Sequence, residues 1–209
     1  MGKRGQGTAY RLFVALRPPE PAVADLEEFL AVRRDAAAFR WTPAEHFHLT
    51  LAFLGQVPER VLDDLGERLA RAAARRSPLE LRLAGGGAFP HVGGARVLWA
   101  GVETAAEGAE ELRRLATGAR AAATKAGAPA DGQRFRAHLT LARLGRPTEV
   151  TSWVRLLDAY RGPAWLGTEI ELVASHLGEG PRGRPRHEIL AEFPLGRHDP
   201  IPAAGGGVL

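Results

Sequence analysis

One eight-residue stretch occurs twice and limits the folds open to this chain. Residues 48–55 read HLTLAFLG and residues 138–145 read HLTLARLG, identical at seven of eight positions and ninety residues apart. Polar and apolar residues alternate in both copies, as in a strand with one buried face, because successive side chains of a strand point to opposite sides. His48 and Thr50 therefore share a face, as do His138 and Thr140. Phe47, Leu49, Leu51 and Phe53 fall on the other face of the first copy, and Phe135, Leu139 and Leu141 on that of the second; these are read as core.

The surrounding segments follow a repeated order. A strand is expected over 10–16 and a helix over 22–34, where Val23, Leu26, Phe29 and Leu30 have helical spacing. The first repeat strand then spans 47–54. Pro58 opens a helix to about 76, and two strands at 79–84 and 96–102 flank a glycine-rich connection. The second half predicts a helix over 106–126, a strand over 135–144, a helix over 149–160 and closing strands at 169–176 and 187–193. Each half is helix, strand, helix, strand, strand, which points to an internal duplication. The expected fold is α+β: one domain over 10–195, with two pseudo-symmetric lobes, antiparallel sheets lining a central cleft, and helices outside. Residues 1–9 read as a flexible basic leader and 196–209 as a flexible tail rich in proline and glycine.

Composition removes several classes of function. The chain has no cysteine, so disulfides, thiolate metal sites and a cysteine nucleophile are excluded. No His/carboxylate set has metal-ligand spacing, and no G-x-x-x-x-G-K-[ST] loop occurs, so neither a metal nor a nucleotide cofactor is expected. No apolar run approaches the roughly 20 residues of a membrane span. The absence of cysteine fits a reducing cytoplasm, the expected location. Net charge is +4, carried almost wholly by arginine, which suits a polyanionic ligand such as RNA and fits equally a compositional habit.

Two histidines facing one cleft suit cyclic phosphate chemistry. Opening the ring needs a base to take a proton from water and an acid to protonate the departing ribose oxygen. Imidazole titrates near neutrality, so one neutral and one protonated ring can coexist there. The hydroxyls of Thr50 and Thr140 can donate to the non-bridging phosphate oxygens. A single His-x-Thr in a strand usually means a satisfied histidine; two matched copies favour catalysis.

The paired H-x-T-L motifs resemble those of the 2H phosphoesterase superfamily, and more narrowly of the bacterial and archaeal RNA 2′,3′-cyclic phosphodiesterases, also called 2′-5′ RNA ligases. RLFVAL at 11–16, RWTPAEHFHLTLAFLG at 40–55, FRAHLTLARLG at 135–145 and EFPLG at 192–196 carry the resemblance. It implies hydrolysis of a terminal 2′,3′-cyclic phosphate to a 2′-phosphate, with reversible ATP-independent 2′-5′ joining. It implies His138 as the base and His48 as the acid, Thr50 and Thr140 as phosphate ligands, and an RNA or nucleotide ending in 2′,3′-cyclic phosphate as partner. A monomer is expected. Ala137 stands where the family often has proline, and His187 stands near a common aromatic position. A non-catalytic RNA-binding module on the same fold is the competing reading.

Other residues carry weaker signals. Arg143 replaces Phe53 in the second copy; by resemblance it binds phosphate, yet strand parity puts it opposite His138, so it reaches the cleft only through a bulge or from the strand end. A surface ion pair is its alternative. Phe13 is read as core rather than as a base-stacking residue. Arg136 shares parity with His138 and is read either way. His46, His91, His176, His187 and His198 are read as loop, surface or satisfied histidines. The segment GEGPRGRPRHE at 178–188 reads either as a mobile loop over the cleft that contacts RNA phosphates or as a solvated basic loop.

Overall fold

Along the first strand, β1 (Ala9–Leu16), Leu12, Val14 and Leu16 alternate with Phe13 and Ala15, and both sets are buried. The first set enters the main core; the second joins Val173 and Phe53 in a small cluster on the opposite face. The structure, a computed structural model, describes residues 8–132 and 134–196. Apart from Thr8, Ala9 and Gly196, the expected leader and tail lie outside the described residues, and Ala9 already belongs to β1.

The remaining elements are α1 (Glu20–Arg34), β2 (Arg40–Trp41), β3 (Leu49–Pro58), α2 (Leu62–Ala73), β4 (Leu79–Phe89), β5 (Ala95–Glu103), α3 (Ala106–Lys125), β6 (His138–Thr148), α4 (Thr151–Asp158), β7 (Arg161–Gly167), β8 (Glu169–His176) and β9 (Arg186–Pro194). Each helix buries one stripe. In α2 it is Leu65, Leu69 and Ala73, with Asp63 and Asp64 in the first turn and Arg71 in the last, complementing the helix dipole. The alanines of α3 (Ala116, Ala119, Ala122, Ala123) keep its buried side shallow and let α2 pack close. Among the described residues no helix is long and apolar enough to cross a membrane.

All strands pair antiparallel, in the order β7-β4-β5-β6-β3-β1-β8-β9, with β2 beside β6. Between β3 and β6 only Leu49 and Leu139 are in register. That seam divides the eight successive strands into two sets of four, with β2 added beside β6. α1 and α4 pack on the lobe of β7, β4, β5 and β6, α2 packs on that of β3, β1, β8 and β9, and α3 packs on β3 and also reaches β4. The expected α+β architecture, with antiparallel strands between the lobes and helices outside, is the observed one. The lobes are not the two halves of the chain, however, because β8 and β9 from its end complete the lobe begun by β1. The sequence reading also missed β2 and β7; β7 carries Gly162 and Pro163, weak strand formers.

The glycine-rich connection expected after residue 84 is a correction. Gly85, Gly86 and Gly87 lie inside β4, and the turn falls at 90–94. The glycines are there because neighbours come too close for a side chain. A Cβ on Gly86 would sit 2.6 Å from the Leu157 side chain of α4 and 3.0 Å from the Trp99 carbonyl, and one on Gly87 would overlap the Trp99 ring. Gly86→Ala is therefore expected to destabilise the fold by about 1–3 kcal/mol through overpacking. A urea midpoint unchanged from wild type would contradict that packing account.

Candidate active site

Both repeat strands carry a bulge at the same place. Val14 pairs with Ala52 and Ala15 with Thr50, so Leu51 is an extra residue on β3. Leu98 pairs with Ala142 and Trp99 with Thr140, so Leu141 is an extra residue on β6. One extra residue reverses the side-chain parity of everything after it. Phe53 and Arg143 thus turn onto the face of Thr50 and Thr140, while Leu51, Ala52, Leu141 and Ala142 stay buried. This corrects the placement of Phe53 in the core, and supplies the bulge that Arg143 needed.

The face so formed lines an open cavity of about 400 Å³ between the lobes, to which His48, Thr50, Thr140 and Arg143 all contribute. One step either side of the Leu49·Leu139 pair, the register sets His48 opposite Thr140 and Thr50 opposite His138. Opposed side chains on one face of such a pair lie about 5 Å apart at Cβ. His138 itself falls just outside the cavity lining. It is bordered by Phe89, edge to face at 5.0 Å between ring centroids, and by Trp99 at 6.1 Å.

The two histidines are held by the same device. His48 Nδ1 lies 2.8 Å from the carbonyl of His46, and His138 Nδ1 lies 2.8 Å from that of Arg136. A carbonyl only accepts, so each Nδ1 carries the proton and each neutral ring presents a free lone pair at Nε2. Neither ring protonates readily in the free protein. Burial, followed by the nearby His187 and Arg17, pushes His48 down to about 3, against the pull of its carbonyl bond. Burial also lowers His138, aided by Arg136 and Arg143.

The charge in the cavity is of one sign. Arg11, Arg40, Arg143 and Arg184 line it, and no carboxylate does. Among the described residues these four make no ion pair, whereas Arg68 and Arg71 of α2, Arg114 of α3, and Arg76 just beyond α2 are paired to Asp64, Glu67, Glu110 and Glu111 respectively. Deeper in, Arg17 bonds the buried Glu171 at 3.1 Å and the Glu45 carbonyl at 3.3 Å, tying the end of β1 to β8 and to the turn that carries His46. Burial raises the Glu171 carboxyl, and Arg17 opposes that rise. Among the described residues no group of three or more His, Asp or Glu is placed to hold a metal ion.

Several lesser residues take places the sequence did not indicate. Phe13 is buried as expected, but on the cleft side, stacked on His48 at 4.6 Å. His46 and His187, read as unremarkable, line the cavity and stack on each other at 4.2 Å. Arg136 precedes β6 and lies over the Trp99 ring at 4.5 Å, outside the cavity lining. The 178–188 segment divides: Arg184 lines the cavity, and Arg186 is paired to Glu179 and Glu188. His91 is exposed, His176 bonds Glu188 at 2.9 Å, and His198 lies outside the described residues. Arg184 belongs to the arginine-rich segment read as a loop over the cleft, whereas Arg11 and Arg40 were not singled out as site residues.

The chain is similar to several known proteins. The profile of the 2′-5′ RNA ligase superfamily matches residues 18–179. The RNA 2′,3′-cyclic phosphodiesterase of Thermus thermophilus is 36% identical over 207 residues, covering 94% of this chain and 96% of that protein. The protein of the same description from Aeropyrum pernix is 40% identical over 133 residues, 61% of this chain and 73% of the other. Among solved structures, Escherichia coli LigT complexed with 3′-AMP superposes with a TM-score of 0.72 at 27% identity, over 91% of this chain and all of that one.

The ring anchoring has a direct spectroscopic consequence. In ¹⁵N-imidazole spectra of the free protein, His48 is expected as a neutral Nδ1–H tautomer at pH 6, and His138 is expected to titrate below the ordinary midpoint of 6.5. Depressed values mean that the unfolded chain binds more protons below 6.5, so both rings also reduce stability as pH falls through that value. A protonated His48 at pH 6 would contradict the burial account.

Proposed function

We propose that this chain, which belongs to the 2′-5′ RNA ligase superfamily, hydrolyses the terminal 2′,3′-cyclic phosphate of RNA to a 2′-phosphate by two-histidine acid–base catalysis. The observation that carries the reading is the matched anchoring of His48 and His138, which leaves an Nε2 free on each side of the Leu49·Leu139 seam, above a cavity that has arginines and no carboxylate. Curated relatives named RNA 2′,3′-cyclic phosphodiesterases support the substrate class.

In this mechanism Nε2 of His138 takes a proton from water as its oxygen attacks phosphorus. The bond from phosphorus to O3′ breaks, and Nε2–H of His48 protonates O3′, leaving the phosphate on O2′. Thr50 and Thr140 donate to the non-bridging oxygens, and Arg143 pairs with their charge, where negative charge grows in the transition state. The assignment of acid and base follows the family resemblance, since the two anchors are alike. The free protein keeps His48 neutral; the anionic substrate offsets the surrounding positive charge and raises the ring so that it holds the proton it must give. A ribose 5′-hydroxyl in place of water yields a 2′-5′ linkage with the same groups, and the reverse of that step cleaves one.

The test is turnover of a short RNA ending in 2′,3′-cyclic phosphate, in excess EDTA. Wild type is expected to release the 2′-phosphate, with His48→Ala and His138→Ala each folded and slower by ~10²–10⁴-fold. RNA binding without turnover by the wild type would favour a binding module instead, and loss of activity restored by added metal would require another mechanism. The pH dependence is separable. kcat/KM reports the free protein, in which both rings titrate below 6.5, so its maximum is expected on the acid side of that value. The kcat maximum lies at higher pH, because bound phosphate raises both rings. A kcat/KM maximum above pH 7 would contradict the assignment.

A further inference from the structure

The cleft continues past the two histidines. A second cavity of about 360 Å³ adjoins the first and shares Arg11, Ser175 and Leu177 with it. Its floor is set by register. Leu12 pairs with Gly55 and Phe13 with Phe53, so β3 is bulged again at Leu54, and Gly55 takes a left-handed φ of 64°. This second bulge returns Gln56 to the cleft face, directly opposite Arg11. One step beyond the Leu12·Ala174 pair, Ser175 of β8 extends the same row, and His187 of β9 closes it.

The chemistry of that row fits a nucleotide. No carboxylate lines the second cavity. The Arg11 guanidinium lies over the Phe53 ring at 4.7 Å and, among the described residues, has no carboxylate partner. Leu177, at the junction of the two cavities, is 61% exposed although it is a large apolar side chain. An unpaired cation, an exposed apolar side chain and two neutral hydrogen-bonding side chains suit a phosphodiester, a base and a ribose respectively. Along β1, Arg11 lies four residues from Ala15, which is level with Thr50. That is about 13 Å at the usual strand rise, a span that the terminal ribose and the arginine side chain bridge together.

We propose that this second cavity holds the nucleotide on the 5′ side of the terminal cyclic phosphate, with Arg11 on the phosphodiester joining the two and Leu177 against the upstream base. The proposal rests on the phosphodiesterase reading and deepens it: the substrate is an RNA end, and a cyclic mononucleotide leaves Arg11 without its phosphodiester.

The experiment compares 2′,3′-cyclic AMP with a diadenylate ending in 2′,3′-cyclic phosphate. Wild type is expected to show kcat/KM at least ~10-fold higher for the dinucleotide, mostly through KM. Arg11→Gln removes most of that ratio. Gln56→Glu lowers it by placing a carboxylate against the phosphodiester. Equal kcat/KM for the two substrates in wild type, or a ratio unchanged in both variants, overturns the subsite and leaves the phosphodiesterase reading standing. No turnover of either substrate overturns that reading and the subsite with it.

Discussion

Leu49 and Leu139 meet back to back where the two lobes touch, and the geometry of the cleft follows from that single pair. Both side chains are fully buried, and burial of each is worth roughly 1.5–3 kcal/mol. That apolar anchoring lets the other face of the same two strands carry His48, Thr50, His138 and Thr140, none of which adds to the core. Shifting either strand by one residue would turn its leucines into the cleft and its histidine into the helices. The register that stabilises the seam is therefore the register that sets each histidine across from the other strand's threonine.

The bulges add a second layer of control. A regular strand offers its cleft every second residue; β3, with His48 just before it, offers Thr50, Phe53 and Gln56, because Leu51 and Leu54 each take up an extra step. β6 repeats the first of these bulges, so the sixth residue of each repeat faces the cavity. The two copies diverge at that one residue, with phenylalanine in the first and arginine in the second. Near-identical backbones thus give a cleft with unlike walls, one aromatic and one cationic.

Electrostatically the inner and outer surfaces are built in opposite ways. On α2 and α3, Arg68, Arg71, Arg113 and Arg114 have acidic partners three or four residues away, which neutralise them locally. The four arginines lining the cleft have none among the described residues; Arg143, with Arg136, adds to the burial that lowers His138, while His187 and Arg17 add to the burial that lowers His48. Among the described residues the one buried carboxylate, Glu171, is held by Arg17, which also fixes the backbone beside His46. His46 supplies the carbonyl that orients His48, so this ion pair supports the ring's orientation through the backbone.

The sequence by itself determined the two histidine strands, their core faces, the threonines beside the histidines and the α+β class, because alternation and helical spacing are local properties written into consecutive residues. It also placed the difference between the repeats at Phe53 and Arg143. Tertiary structure decided the rest. Bulges brought Phe53 and Arg143 onto the cleft face, since a bulge exists only in the pairing of one strand against another. The pairing of Ser175 with His187 brought that histidine to His46 and Phe13, and β4 kept its glycines because α4 and Trp99 press against them. Arg11, Arg40 and Arg184 reach the cavity from three distant segments. Local composition flagged the segment of Arg184, but no local pattern places these side chains, because what selects them is a shared space that forms only when distant strands pair.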